Sequence, residues 1–208
     1  MSEELNQATK DFSLSEDKTV LESKEDFTVK HPLNSKWTLW YTKPPVDPSE
    51  SWSDLLRPVV PFDTVEEFWG IFNAIPKANE LPLKSDYHLF KNDIKPEWED
   101  SENSKGGKFS FQFKGKKYDI NEIWIRCLLS VIGETIEGEE NEVNGIVLNV
   151  RKNCFKVGLW TKSCNKDSLI PIGETLRKVL NLSEGEKLEF MSHKDSNDRS
   201  AKPLFIVE

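Results

Sequence analysis

The chain has little of what marks a backbone-gripping nucleic-acid binder, a membrane protein or a metalloprotein. Basic residues do not predominate: 28 Lys and Arg stand against 36 Asp and Glu, a formal net charge of −8. Binding along a polynucleotide draws its affinity from neutralised phosphates and needs a basic surface. The balance excludes that mode for the chain as a whole, so any contact with nucleic acid has to be small, local and chemically specific. No apolar run reaches the ~18 residues of a membrane span. The start, Met1-Ser2-Glu3-Glu4, lacks the basic flank and apolar stretch of a signal peptide. Only three cysteines occur, Cys127, Cys154 and Cys164, an odd number without a C-x-x-C pair. They are expected to be reduced thiols of a cytoplasmic protein, with the nucleus as a second compartment. His31, His88 and His193 are scattered, and no serine or cysteine sits in a nucleophile motif. Gly106-Gly107 lies between lysines with no Walker sequence and reads as a turn.

What the chain does have is tryptophan, seven in 208 residues: Trp37, Trp40, Trp52, Trp69, Trp98, Trp124 and Trp160. An indole N–H needs a partner when buried. So many in one small protein implies that some work at the surface, against the alternative of seven core residues.

The length fits one domain, or one domain with a tail, and suffices for a single core. Residues 1–28 are rich in Ser, Glu, Asp and Lys, a composition that does not offset the entropy of ordering. A disordered tail is expected there, followed by a domain over 29–208. Strands are expected at 36–42, with Trp37, Leu39 and Tyr41 on one face, and around Phe109, Phe111 and Phe113. Residues 146–151 and 155–161 read as a hairpin, and 87–90 and 187–191 as shorter strands. Pro44, Pro45 and Pro48 mark a loop that carries Trp52. Thr64 with Glu67 fits a capping box for a helix that Pro76 stops after Ile75. Asp119 and Glu122 open a second helix that ends near Gly133, and a third is expected over 172–180. Residues 99–105, 137–144 and 193–202 read as polar loops. The pattern predicts an α+β fold, a curved antiparallel sheet with helices on one side.

Trp98 follows Pro96 and lies among Glu97, Glu99 and Asp100; Trp52 lies within Ser49-Glu50-Ser51-Trp52-Ser53-Asp54. Neither is a core pattern. Two solvent-side indoles on separate loops suit a stacking clamp for a flat ligand, worth roughly 1–3 kcal/mol per stacked base. A cationic ligand gains about 0.5–2 kcal/mol more from the ring quadrupole. Glu99 would accept from a ring edge with two N–H donors, as guanine has, though an aromatic cage for methylated lysine uses similar parts. Arg151 and Lys156 point away from the apolar sets Ile146, Leu148, Val150 and Phe155, Val157, Leu159. With Lys108 they suit phosphates; exposed, solvated charges are the plainer alternative. On the first helix Phe68, Phe72 and Ile75 form the buried stripe, with Val65 and Trp69 at its edge. On the second, Ile120, Ile123, Trp124, Cys127 and Val131 form the stripe and Ile125 lies off it. Rim residues of two helices can merge into a partner-binding patch; a wide buried face is the other reading. Glu134, Glu137, Glu139 and Glu140 read as a solvated acidic loop rather than a metal site.

In order and spacing, several segments resemble the translation initiation factor 4E family. They are His31-Pro32-Leu33 with Trp37-Thr38-Leu39-Trp40, Phe62-Asp63-Thr64-Val65-Glu66-Glu67-Phe68-Trp69, and Pro96-Glu97-Trp98-Glu99-Asp100. Leu128-Leu129 with Ile132-Gly133-Glu134, and residues 147–151 with Lys156 and Trp160, continue the series. The resemblance spans roughly residues 27–190 and is strongest to the yeast members. It implies a ligand, the 7-methylguanosine cap of mRNA, and no catalysis, metal or cofactor. By position, Trp52 and Trp98 would stack on the methylated base, and Glu99 would take its N1 and N2 donors. Trp160 would meet the N7-methyl group. Arg151, Lys156 and Lys108 would face the triphosphate. Lys108 stands where many members have Arg, a point charge in place of a fork, and Phe109 where many have Trp. Asp86 would hold the first indole. The family fold is a curved antiparallel sheet with three helices on its convex face. It implies partners there too, the scaffold factor 4G and 4E-binding proteins with a Tyr-x-x-x-x-Leu-hydrophobic helix, at His31, Pro32, Val65, Trp69 and Ile125. A monomer is expected. The competing readings are a cap-binding translational repressor and a metal-dependent cap hydrolase.

Overall fold

Period-two alternation builds the sheet. The computed structural model describes residues 29–47, 49–114, 117–136, 141–196, 198 and 200–208. The tail expected at 1–28 lies outside them. Met1–His31 and Pro32–Glu208 separate as two units, and the second holds every element described here. Its strands are β1 (Pro32–Thr42), β2 (Leu56–Thr64), β3 (Asp86–Lys91), β4 (Gly107–Lys114), β5 (Val143–Arg151), β6 (Cys154–Thr161), β7 (Leu188–Ser192) and β8 (Phe205–Val207). They form one curved antiparallel sheet in the order β2-β1-β3-β5-β6-β4-β7-β8. The anticipated hairpin is β5–β6, closed so that Arg151 opposes Cys154.

Alternation sends Leu39, Leu89, Ile146, Leu148, Val157, Leu159 and Phe109 into a single core. Against them pack α2 (Val65–Ala74), α3 (Ile120–Ile132) and α4 (Lys166–Val179), through Phe68, through Ile123, Trp124 and Cys127, and through Leu169, Ile172 and Leu176. The Thr64 hydroxyl caps α2 by accepting from the Glu67 N–H. The Asp119 carboxylate caps α3, and Gly133 follows its last turn. Leu148 is fully buried. Leu148→Ala is expected to cost about 2–5 kcal/mol, read as a lower urea midpoint; a shift worth under about 1 kcal/mol would remove it from the core.

Strand β8 was not expected, β5 begins at Val143 inside the expected polar loop, and four further features differ from the sequence expectation. A fourth helix, α1 (Trp52–Leu55), carries Trp52, which was expected on a loop; at four residues it is too short to show a period. Strand β2 was missed because Pro58 and Pro61 break its pattern; β2 is an edge strand, where a missing N–H is tolerated. Helix α4 begins at Lys166, capped by Asn165, and runs through Pro171, which reads as a barrier. Burial of Leu169, Ile172 and Leu176 outweighs the lost hydrogen bond. Gly106-Gly107 is not a turn, since Gly107 opens β4. A Cβ at Gly106 would lie 1.7 Å from the Thr161 carbonyl oxygen, and one at Gly107 2.4 Å from that of Met191. Close backbone approach, invisible along the chain, requires both glycines.

Candidate functional site

The residues that alternate with the core side chains face the opposite side of the sheet. His88 on β3, Val147 and Asn149 on β5, Gly158 and Trp160 on β6 and Lys108 on β4 line a cavity of about 610 Å³. Asp86, Arg151 and Lys156 lie in its wall, and Trp52, Trp98 and Glu99 complete it. All eight residues carried over to the ligand site therefore line one cavity. Trp52 and Trp98 are 43% and 36% exposed.

The two indoles are held by different devices. Ahead of Trp52, the Glu50 carboxylate accepts from Lys43 Nζ (2.5 Å) and from the N–H groups of Val46 (2.7 Å) and Asp47 (3.1 Å). These donors pull its pKa down to about 2. Ser51 and Asp54 then form a reciprocal capping box around α1. Trp98 sits in a segment without regular strand or helix, yet that segment is pinned. The Asn103 amide donates to the carbonyls of Lys95 and Glu97 (both 2.8 Å), and Asp100 accepts from the Lys95 and Glu102 N–H groups. Asn144 on β5 donates to the Glu102 carbonyl and to Asn103 Oδ1. Both asparagines are buried. Sequence reasoning passed over them, because an Asn inside a polar loop carries no local sign of burial.

Charge divides across the cavity, with Glu97 and Glu99 beside Trp98 and the cations on the central strands. Arg151 Nη1 lies 2.7 Å from Asp86 Oδ1 and also donates to the Val150 carbonyl (2.9 Å). Asp86, expected to hold an indole, turns its buried carboxylate to this guanidinium. That fixes the fork at the rim while the Arg side chain stays 44% exposed. Trp160 packs edge-on to Phe90 (5.4 Å, 80°) and against His193 (4.1 Å). Burial, with Lys108 beside it, lowers His193 to about 4.

Burial and the neighbouring Lys156 lower the Lys108 amine to about 8. The unfolded chain, with the ordinary value of 10.5, binds more protons between those limits. Lys108 therefore opposes folding fully below about pH 8, and stability is regained as pH rises toward 10.5. An anion in the cavity raises that pKa again. Binding of a nucleoside triphosphate is expected to take up protons near pH 8–9 and to weaken as pH rises through that range. Calorimetry in two buffers of different ionisation enthalpy measures the uptake. Identical apparent enthalpies, or uptake that persists in Lys108→Gln, would remove Lys108 from the anion site.

The helix side carries the second set. Trp69 on α2 is 39% exposed and rests edge-on against Phe68 (5.1 Å) and Phe72 (5.7 Å). Val65, the first residue of α2, and Ile125 on α3 are half-buried. Pro32 is exposed and opposes Thr64, the residue that caps α2. His31 is exposed and belongs to the other unit. The acidic loop is only partly described: Glu134 pairs with Lys91 (3.2 Å) and accepts from Asn34 and Ser35, while Glu137, Glu139 and Glu140 lie outside the described residues. Among the described residues no three His, Cys, Asp or Glu are grouped to hold a metal, and no helix is long and apolar enough to cross a membrane.

A curved sheet with an aromatic, two-signed cavity on one face and helices on the other defines a binding module for a flat, charged ligand. Comparison with known proteins makes this specific. The family profile described as eukaryotic initiation factor 4E matches residues 32–204. The chain is 61% identical to the Candida albicans eukaryotic translation initiation factor 4E, covering 100% of both. It is 57% identical to the Saccharomyces cerevisiae factor over 91% of this chain and 89% of that one. Among solved structures, a Caenorhabditis elegans factor in complex with the 4E-binding protein Mextli and a cap analogue superposes with a TM-score of 0.79 at 38% identity, covering 86% of this chain and 100% of that one. An Ascaris suum factor with the m7G cap gives 0.79 at 37%, covering 86% and 98%. The chain belongs to the eukaryotic initiation factor 4E family.

Proposed function

We propose that this chain binds the 7-methylguanosine cap of mRNA in the cavity and presents its helical face to a scaffold initiation factor, so that translation starts on capped messages. The observation that carries the reading is one cavity lined by two exposed indoles, a carboxylate beside one of them and three cations, in a chain of this family. Methylation at N7 makes the base cationic. An indole sandwich beside Glu99 then favours it over plain guanine, because both the ring quadrupole and the carboxylate prefer positive charge. Two stacks and a charged edge contact supply roughly 5–8 kcal/mol before losses. Micromolar affinity needs about 8 kcal/mol, so Arg151, Lys156 and Lys108 on the phosphates are part of the site. Val65 and Trp69 support the helix-in-groove mode for the partner. The solved relatives point the same way: the nematode factors named above were captured with cap ligands, and one of them with a 4E-binding protein. No catalytic step is invoked. The test is retention on a resin carrying 7-methylguanosine triphosphate and elution by the methylated but not the unmethylated nucleotide. Equal elution by both would overturn methyl-base recognition.

A further inference from the structure

His88 has no role in the cap contacts carried over from the family, yet it lines the cavity. It lies on β3 between Trp40 of β1 and Val147 of β5, 3% exposed, and lines the same cavity as Trp52. One ring nitrogen, Nε2, shares a 2.8 Å hydrogen bond with the Thr42 hydroxyl. The other, Nδ1, is buried without a partner. An apolar residue at this strand position would avoid that unmet polar atom. What the ring touches is Trp52: the centroids are 6.2 Å apart and the planes meet at 83°. This is the edge-to-face arrangement that aromatic quadrupoles favour. Among the described residues it is the one aromatic contact that Trp52 makes. Trp52 needs such a seat, because it stands 43% exposed on a helix of four residues, too short to hold an indole by its own packing.

We infer that His88 is a positioning residue for Trp52: anchored by Thr42, its imidazole seats the indole in stacking orientation before any ligand arrives. The charge state agrees with this. Burial, reinforced by Arg151 and opposed by Asp86, lowers His88 to about 4, so near pH 7 the ring is neutral. A cation there would repel a cationic base lying on the other side of the indole. A seat of this kind raises affinity by ordering Trp52 in advance rather than by touching the ligand.

Two measurements test it, and only the second rests on the cap-binding reading. Label the protein with 5-fluorotryptophan and assign the Trp52 fluorine resonance by its loss in Trp52→Phe. Without ligand, His88→Leu is expected to move that resonance toward the free-indole position and leave the Trp37 and Trp124 resonances in place; His88→Phe, which keeps a ring, is expected to hold it. An unmoved Trp52 resonance in folded His88→Leu overturns the inference whether or not cap binds. Then measure 7-methylguanosine triphosphate affinity. His88→Leu is expected to lose about three- to tenfold, the size of one aromatic pair, and His88→Phe less than twofold. In a Trp52→Ala background the same His88→Leu change is expected to cost less than twofold, because its route is gone. Equal losses with and without Trp52, or a folded His88→Phe as weak as His88→Leu, would overturn it. If His88→Leu fails to fold, His88→Asn replaces it and is read in the same way.

Discussion

Trp98→Ala is expected to lose roughly 1–3 kcal/mol of affinity for a methylated cap analogue, up to about two orders of magnitude, with the melting temperature almost unchanged. The indole stands 36% exposed on a segment that Asn103 and Asn144 pin from beneath. Its removal therefore opens no core cavity and breaks none of the bonds that hold the segment. The loss should be larger for the methylated nucleotide than for plain GTP, since the cation–π part disappears only when the base is cationic. Trp52→Ala should behave alike, because its indole is also more than a third exposed and lines the same cavity. Fluorescence or calorimetric titration of both variants with both nucleotides measures this. A Trp98→Ala protein that binds as tightly as the parent, or loses equally for both nucleotides, would remove that ring from a methyl-base sandwich.

Trp69→Ala is expected to abolish measurable binding of a Tyr-x-x-x-x-Leu peptide while retaining the chain on cap resin. The two sites lie on opposite sides of the sheet. Alternation on β3 turns Tyr87 and Leu89 toward the helices and Asp86 and His88 toward the cavity. Trp69 is an exposed aromatic beside Phe72, the kind of anchor whose truncation costs about 2 kcal/mol or more at an interface hot spot. Some stability should also go, because Trp69 lies over the buried Phe68; circular dichroism separates that from loss of binding. Trp98→Ala should show the reverse pattern, with peptide kept and cap lost. Simultaneous loss of peptide and cap with a collapsed melt would make Trp69 a core residue.

Much of this was legible along the chain. Ile146, Leu148 and Val150, and Phe155, Val157 and Leu159, recur at every second position, which foretold both the hairpin and the face on which Arg151 and Lys156 emerge. Thr64 and Asp119 marked the two helix starts, because an N-cap acts on N–H groups two or three residues away. Trp98 among acids is exposed on a segment without regular strand or helix, as its neighbours implied. Where prolines intervened, local signals misled: β2 is a strand despite Pro58 and Pro61, and α4 continues through Pro171. In both, tertiary placement outweighs local preference, through an edge position in one and a buried apolar stripe in the other.

The sequence by itself determined the chemistry on offer: indoles beside carboxylates, cations opposite apolar strand faces, an exposed aromatic on a helix rim. These follow from periods of 2 and 3.6 and from caps, which are interactions between near neighbours. Only the tertiary structure decided which of those groups meet. It brings Trp52 and Trp98 into one cavity, gives Asp86 to Arg151, staples the Trp98 segment with Asn103 and Asn144, and sets His88 between Thr42 and Trp52. Apart from the bonds Asn103 makes within its own loop, these pairings join residues far apart in sequence. They depend on the order and register of eight strands, fixed by the burial of a shared core rather than by any short stretch of chain.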